Sequence, residues 1–168
     1  MPLESPGSGT EVVILSGIPG SGKTTWIREN LDPSVTSVFS ADRFFVDESG
    51  VYRFDESRLH EAHSDCLRRF LDAVMEARAA GDRTPGRIIA VDNTNTSSWE
   101  ISPYYALAAA MGLPVKVVRI ECEPGLAHSR NVHGVSVEQV AKMAVRMSGE
   151  VLPSWWTVET VCRASSDD

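Results

Sequence analysis

Apolar positions follow two periods along this chain, and segments of the two kinds alternate. Short continuous apolar runs predict strands buried on both faces, at 12–16, 35–40, 87–92 and 115–121. Apolar residues at three- and four-residue spacing predict helices at 24–31, 55–80, 98–111, 123–131 and 137–148. The segment 155–162 fits either a fifth strand or a packed tail. This alternation predicts an α/β fold of three layers, with helices on both faces of a mostly parallel sheet of four or five strands.

The ends of the chain and its composition narrow the picture. Residues 1–10 are rich in Pro, Gly and Ser and predict a flexible leader, residues 11–163 a single domain, and residues 164–168 a frayed tail. No apolar run approaches membrane-spanning length and the three cysteines are scattered, so we expect a cytoplasmic protein without a membrane partner. The formal net charge of −7 disfavours a broad nucleic-acid-binding surface but allows a local basic groove for one strand end.

The strongest motif is the sequence GIPGSGKT at residues 17–24, between the first predicted strand and the first predicted helix. This context is typical of a P-loop, in which glycines let backbone N–H groups converge on phosphate oxygens at a helix N-terminus. Lys23 is expected to reach the β- and γ-phosphates of ATP or GTP, and the Thr24 hydroxyl to hold Mg²⁺. The predicted nucleotide-binding residues of the motif are Gly17, Pro19, Gly20, Ser21, Gly22, Lys23, Thr24 and Thr25. The expected architecture is therefore a P-loop NTPase or kinase fold.

Two acids follow predicted strands on the same edge of the sheet as the P-loop, where ligands of open α/β sheets bind. Asp92 follows the third apolar run, where a P-loop enzyme keeps the acid that orients Mg²⁺ or its water. The alternative is an acid that only caps the next turn. Asp42 follows the second strand and fits a catalytic base that accepts a hydroxyl proton. Its alternative is a salt bridge with Arg43 or another arginine.

The segment after the fourth strand predicts a helical lid over the nucleotide. Arg130 lies there, and an arginine in a lid neutralises charge on the transferred phosphoryl group. The alternative is an arginine that is merely exposed to solvent. Weaker lid candidates are His133, Lys142 and Arg146.

Acceptor-binding candidates lie next to the two acids. They are Arg43, Asn93, Thr94 and Asn95. The three residues after Asp92 could hold an acceptor or could simply satisfy loop backbone groups. Four nearby aromatic residues could stack on a base, although we expect at least half of them to be buried; they are Phe44, Phe45, Tyr52 and Phe54.

Four segments together resemble a family of P-loop kinases that includes the kinase domain of phage polynucleotide kinase and the animal Nedd-four-binding-protein-two-like proteins. The segments are GIPGSGKTTW, SADRFF…GVYRFD, VDNTNTSSWEISPYYALAAAMG and SRNVHGVS. The resemblance extends from about residue 12 to residue 147. The P-loop is shared with many families, whereas the DNTN element and the Arg-Asn-x-His-Gly element are much more specific.

The resemblance implies roles for individual residues. Lys23 and Thr24 match the phosphate- and Mg²⁺-binding pair, and Asp92 matches the acid after the third strand. Asp42 matches the acid that activates the acceptor 5′-hydroxyl, and Arg130 the lid arginine that contacts the donor phosphates. One position departs from the phage kinase, in which an arginine three residues after the catalytic acid helps to hold the acceptor phosphate. Phe45 stands at that position here.

Three functions are compatible with these residues. The first is an ATP- or GTP-dependent kinase, with Asp42, Lys23 and Arg130 as catalytic residues, that phosphorylates a 5′-hydroxyl of DNA or RNA. The second keeps this chemistry but uses a small alcohol or a hydroxymethylated base as acceptor. The third is a nucleotide-binding interaction module with little turnover. The sequence leaves the oligomeric state open.

Overall fold

A computed structural model describes residues 9–81 and 86–163 of the protein. Its strands are β1 (Thr10–Ser16), β2 (Thr36–Phe39), β3 (Arg87–Val91), β4 (Val115–Cys122) and β5 (Val158–Arg163). Its α-helices are α1 (Lys23–Asn30), α2 (Leu59–Ala80), α3 (Ser98–Ala110), α4 (Pro124–Arg130) and α5 (Val137–Gly149). Most of the expected leader, residues 82–85 and the expected tail lie outside the described residues. Thr10, assigned to the leader, instead begins β1.

The five strands form one sheet in the order β2-β3-β1-β4-β5, and every pair of neighbours is parallel. The segment near the C-terminus is therefore a strand, β5, which extends the sheet beside β4. Because all five strands run the same way, their carboxyl ends share one edge. The prediction of a three-layer α/β fold with a mostly parallel sheet is confirmed.

Apolar side chains cover both faces of the central strand β1, which explains its unbroken apolar sequence. Val12 and Ile14 point into a core with α2 and α3, where Phe70 is fully buried. Val13 and Leu15 point into a second core, to which α1 contributes Trp26 and Ile27, and the residue after it contributes Leu31. The sheet thus lies between α2 and α3 on one face and α1 on the other.

The long second helix begins later than predicted. Residues 56–58 form a short 3₁₀ turn, and α2 begins only at Leu59. The carboxylate of Asp55 accepts hydrogen bonds from both the backbone N–H and the hydroxyl of Ser57. Such a local bond from an acid to the backbone two residues later favours a turn over a continuous helix.

Helices α4 and α5 form a separate layer at the carboxyl edge of the sheet. Their buried residues Ala127, Val140 and Met147 pack with Ile18 of the P-loop in a third apolar cluster. Across the described ranges, no helix combines the length and apolarity needed to cross a membrane.

The P-loop approaches α4 so closely that only glycine fits at residue 20. Gly20 has φ +79°, and a Cβ atom there would lie 1.9 Å from the carbonyl oxygen of Ala127. Gly112, which follows α3, has a similar φ of +70° but no atom within 4 Å of an added Cβ. Replacing Gly112 by alanine would therefore cost only backbone strain, whereas replacing Gly20 would add a steric clash to that strain.

We expect Gly20→Ala to lower the free energy of unfolding by at least twice as much as Gly112→Ala. The control should lose about 1–2 kcal/mol from backbone strain alone, whereas the loop in Gly20→Ala must also move away from α4. Urea denaturation of both variants measures the difference. Equal losses would show that the P-loop does not pack against α4 as described.

Candidate active site

Lys23 lies folded into the P-loop at the N-terminus of α1. Its ammonium group donates hydrogen bonds to the carbonyl oxygens of Gly17 at 2.8 Å and Ile18 at 3.0 Å. Burial lowers the pKa of Lys23 from 10.5 to about 8, while the charges of Asp92 and Asp42 oppose that shift. The lysine is thus a buried cation with two carboxylates in electrostatic reach.

The geometry of the P-loop suits an anion. Gly22 has φ +97° and caps α1 without a side-chain hydrogen bond, so backbone N–H groups at the helix start remain available. The hydroxyl of Ser21 is buried and has no hydrogen-bond partner among the described residues. A buried polar group normally has a partner, and a phosphate oxygen would supply one. The loop therefore fits a nucleotide phosphate.

Thr24 and Asp92 meet across the edge of the sheet. The Thr24 hydroxyl donates a 2.7 Å hydrogen bond to the Asp92 carboxylate, although the residues are far apart in sequence. Asp92 directly follows β3, and its backbone N–H donates to the carbonyl of Phe39 at the end of β2. Hydroxyl and carboxylate oxygens are ligands that Mg²⁺ accepts alongside nucleotide phosphates. This pair fits the magnesium site expected from the sequence.

Asp42 lies in a short 3₁₀ helix, Ala41–Phe45, directly after β2. Its carboxylate accepts a 3.2 Å hydrogen bond from the phenol of Tyr52, and the other carboxylate oxygen is 3.7 Å from Nε2 of His133. The carboxylate is about half exposed. Its charge also acts on Lys23, so Asp42 lies within electrostatic reach of the P-loop.

The asparagines after Asp92 serve the framework. The side-chain oxygen of Asn93 accepts from the N–H of Ala41, and its amide donates to the Tyr104 hydroxyl. Asn95, with φ 45°, donates its amide to the carbonyl of Leu15. Both residues are buried. The second of the two predicted possibilities, satisfaction of loop backbone groups, therefore describes Asn93 and Asn95, and acceptor binding does not.

Other predicted residues occupy the borders of the site. Arg43 is exposed, and Thr94 is partly buried with its carbonyl bonded to the N–H of Gly17. Arg130 is exposed at the end of α4, and its charge is felt by the Cys122 thiol at the end of β4. Arg130 is therefore carried by the helix that packs against Gly20 of the P-loop.

The four aromatic residues near Asp42 form a cluster of edge-to-face contacts. Phe45 is at its centre and only 5% exposed, with ring centroids 5.4 Å from Phe44, 6.2 Å from Tyr52 and 5.1 Å from Phe54. Phe54 is exposed. Phe44 and Tyr52 are partly buried, so only Phe45 is buried and the expectation that at least half of the four would be buried is not met.

Two residues near the site were not among the site residues assigned from sequence. Tyr52, which was considered in the sequence only for stacking on a base, donates a hydrogen bond to Asp42. Its place in the GVYRFD segment was the signal that could have pointed to a role in the site. Arg163, at the end of β5, pairs with Glu29 at 2.6 Å and lies beside Gly22. No local pattern marks Arg163, because only the pairing of β5 with β4 brings it to the P-loop.

A phosphate-binding loop on a five-stranded parallel sheet defines the class as a P-loop kinase fold. A family model described as an AAA domain matches residues 12–145. The chain therefore belongs to this family of P-loop domains.

Individual proteins with similar sequences or folds agree with this family assignment. The chain is 33% identical over 141 residues, 80% of its length, to human NEDD4-binding protein 2, and it spans only 7% of that relative. Among solved structures, a Chloroflexus aurantiacus protein proposed to be a kinase shares 15% identity at a TM-score of 0.64, with 94% of this chain and 87% of that chain covered.

Two further structures share the fold at low identity. The Pnkp1/Rnl/Hen1 RNA repair complex has 12% identity and a TM-score of 0.61 over 85% of this chain and 45% of that chain. A gluconokinase from Sinorhizobium meliloti has 11% identity and a TM-score of 0.56 over 90% of this chain and 82% of that chain. The same fold thus occurs in an RNA repair complex and in a gluconokinase.

The lowered pKa of Lys23 predicts proton uptake on nucleotide binding. In the free protein the ammonium loses its proton as pH rises through about 8, and a bound triphosphate restores it by favouring the charged form. The affinity for ATP should therefore fall between about pH 7.5 and 9.5. Calorimetry in two buffers of different ionisation enthalpy measures the uptake. Lys23→Gln should abolish the proton uptake, whereas Lys142→Gln, at an exposed residue, should keep it. Proton uptake that persists in Lys23→Gln would show that Lys23 is not the group that binds the proton.

The contact between Thr24 and Asp92 predicts a metal-dependent part of nucleotide affinity. Asp92→Asn should remove the gain in ATP affinity that Mg²⁺ produces, and it should leave affinity in EDTA within about twofold, because the P-loop remains intact. Thr24→Val should behave alike. Titration with and without Mg²⁺ measures both. An unchanged Mg²⁺ effect in both variants would place the metal elsewhere.

Proposed function

We propose that this protein is a kinase that transfers the γ-phosphate of ATP or GTP to a 5′-hydroxyl of DNA or RNA. The observation that carries the proposal is that two carboxylates border the P-loop: Asp92 accepts a hydrogen bond from Thr24, and Asp42 is contacted by His133 from the segment after α4 that packs on Gly20. The charges of both also act on Lys23. Nucleotide binding needs only the P-loop and the acid beside it. A second carboxylate facing the same space supports transfer to an alcohol, which must lose a proton.

The residues around the P-loop have separate roles in binding the nucleotide that donates the phosphate. The backbone N–H groups of Gly20, Gly22, Lys23 and Thr24, the Ser21 hydroxyl and the Lys23 ammonium bind the phosphates. Thr24 and Asp92 would hold Mg²⁺, which when bound neutralises charge on the phosphates. Arg130, brought close by α4, adds a positive charge at the transferred group. Thr25 is the third residue of α1, and it and Pro19 complete the predicted nucleotide contacts.

Asp42 acts on the acceptor side. Its carboxylate takes the proton of the attacking hydroxyl while the acceptor oxygen bonds to the γ-phosphorus. The bond between that phosphorus and its bridging oxygen breaks, and the electron pair leaves with the nucleoside diphosphate. Arg43 and Thr94 remain candidates for holding the acceptor, since the side chains of Asn93 and Asn95 are committed to the framework.

Family relationships support a polynucleotide acceptor. The described motifs resemble those of polynucleotide kinases, and one structural neighbour belongs to an RNA repair complex. That likeness concerns the fold, because the sequence identity is only 12%. A short basic groove is compatible with the net charge of −7.

A second candidate is a small alcohol or the hydroxyl of a modified nucleobase. Phe45, at the position where the phage kinase has an arginine for the acceptor phosphate, is buried among aromatics. A neutral acceptor would not need that charge. The gluconokinase neighbour has the same fold, which accommodates small substrates too.

An acceptor panel separates the candidates. Label from γ-labelled ATP should appear on a 5′-hydroxyl oligonucleotide of DNA or RNA. Transfer to nucleosides or small alcohols alone would favour the second candidate. Nucleotide binding without transfer to any acceptor would instead support an interaction module.

We expect Asp42→Asn to lower transfer by about a hundredfold or more, because the amide cannot take the proton. The affinity for ATP should stay within about twofold, since Asp42 lies outside the P-loop. Initial rates and nucleotide titration measure the two effects. Asp72→Asn, an exposed change on α2, is the matched control. A fully active Asp42→Asn enzyme would remove the base assignment.

A further inference from the structure

The carboxylate of Asp42 is bordered by side chains from two distant segments. The Tyr52 phenol donates to Oδ1 at 3.2 Å, and His133 Nε2 lies 3.7 Å from Oδ2. The rings of Tyr52 and His133 also contact each other, with centroids 5.3 Å apart. The proposed base therefore sits where the loop after β2 meets the α4–α5 connection (residues 131–136).

The two carboxylate oxygens differ in their contacts. A distance of 3.2 Å is a hydrogen bond, whereas 3.7 Å is too long for one. Oδ1 is therefore tied to Tyr52, and Oδ2 keeps its capacity to accept a hydrogen bond. Burial and the charge of Asp42 raise the pKa of Tyr52 to about 12. The phenol accordingly keeps its proton and acts as a donor.

A short hairpin holds Tyr52 in place. Tyr52 pairs with Val46 in an antiparallel bridge, and its ring packs edge-on against the buried Phe45. Within the hairpin, one oxygen of Asp47 accepts from the backbone N–H groups of Ser49 and Val51. These contacts do not involve the phenol oxygen. The hydroxyl of Tyr52 is thus presented to Asp42 by a framework that does not depend on it.

The α4–α5 connection orients His133 in a similar way. The side chain of Asn131 accepts from the N–H of His133 and donates to the carbonyl of Val135. The backbone N of Asn131 also lies 3.2 Å from the place of a Cβ on Gly20. One turn of chain therefore borders both the P-loop and Asp42.

We propose that Tyr52 is a positioning residue for Asp42, which it anchors through Oδ1, and that Oδ2 is left to receive the proton of an acceptor hydroxyl whose place is bordered by His133. This inference rests on the proposed kinase function. In the reaction the acceptor O–H bond breaks and its proton passes to Oδ2. The acceptor oxygen bonds to the γ-phosphorus, and the electron pair of the broken bond leaves with the nucleoside diphosphate.

Tyr52→Phe tests the anchor, because it removes only the hydroxyl and keeps the ring contacts. With γ-labelled ATP and a 5′-hydroxyl oligonucleotide, kcat should fall about ten- to a hundredfold. KM for ATP should stay within about twofold. In an Asp42→Asn background the same change should have no further effect, since its target is gone. Tyr105→Phe is the control: its phenol bonds to the N–H of Thr157, away from Asp42, and kcat should not change.

His133 is tested by a pair of substitutions. His133→Gln keeps a side-chain donor near Oδ2 and should retain more activity than His133→Leu. The loss should appear mainly in KM for the acceptor, because His133 borders the place where the hydroxyl binds. His60→Gln, an exposed change on α2, is the matched control. Equal activity of the glutamine and leucine variants and the wild type would overturn the role of His133.

The outcomes separate this inference from the function beneath it. Full activity of Tyr52→Phe in an active enzyme, or additive losses with Asp42→Asn, would overturn the anchor and leave the kinase proposal standing. An inactive wild type across the whole acceptor panel would overturn the kinase proposal and the positioning role with it. A urea double-mutant cycle of Tyr52→Phe and Asp42→Asn would then report separately whether the hydrogen bond exists, through non-additive shifts in the midpoint.

Discussion

Hydrogen bonds between the segment after β3 and the ends of its neighbouring strands hold the candidate site together. The N–H of Gly17 bonds to the carbonyl of Thr94, and the Ser16 hydroxyl to the carbonyl of Asn95. The side chain of Asn95 bonds back to Leu15, and that of Asn93 to Ala41. Buried polar groups of this kind are costly to leave unpaired. The starts of the P-loop and of the Asp42 turn are thereby tied to the segment that carries Asp92.

The electrostatics of the donor side follow from this framework. Lys23 is buried and its pKa is lowered to about 8, although two carboxylates oppose the shift. Desolvation therefore outweighs the attraction of Asp92 and Asp42 before a phosphate arrives. A bound triphosphate would supply further negative charge beside the buried Lys23 and would favour its protonated form. An anion therefore stabilises the charged form of this buried lysine more than it would stabilise an exposed lysine.

The groups around the P-loop, which form the donor side, differ in kind from those around Asp42, which form the acceptor side. The donor side consists of backbone groups, one lysine and a threonine–aspartate pair, and its geometry depends on glycine at Gly20 and Gly22. The acceptor side consists of Asp42 with aromatic neighbours from the loop after β2 and a histidine from the α4–α5 connection. In the proposed kinase, the donor side suits any nucleoside triphosphate, so selectivity for the acceptor would reside in the second set.

Local patterns in the sequence determined the P-loop, the strands before Asp42 and Asp92, and the order of strands and helices. These features depend on spacing within a few residues, and parallel strands then place their carboxyl ends at one edge. Sequence also led to the expectation that at least half of the four aromatic residues near Asp42 are buried, whereas only Phe45 is. The start of α2 was missed because a bond from Asp55 to Ser57 competes with the helix.

Only the tertiary structure decided which polar side chains serve the framework and which face a ligand. Asn93 and Asn95 have the same polarity as acceptor-binding residues, but the packing of β3 against β1 and β2 turns their amides inward. The contacts of Tyr52 and His133 with Asp42, and of Arg163 with the P-loop, join segments distant in sequence. Spacing along a chain specifies which face of a strand or helix a residue occupies, whereas the direction of its side chain depends on neighbours that arrive only on folding.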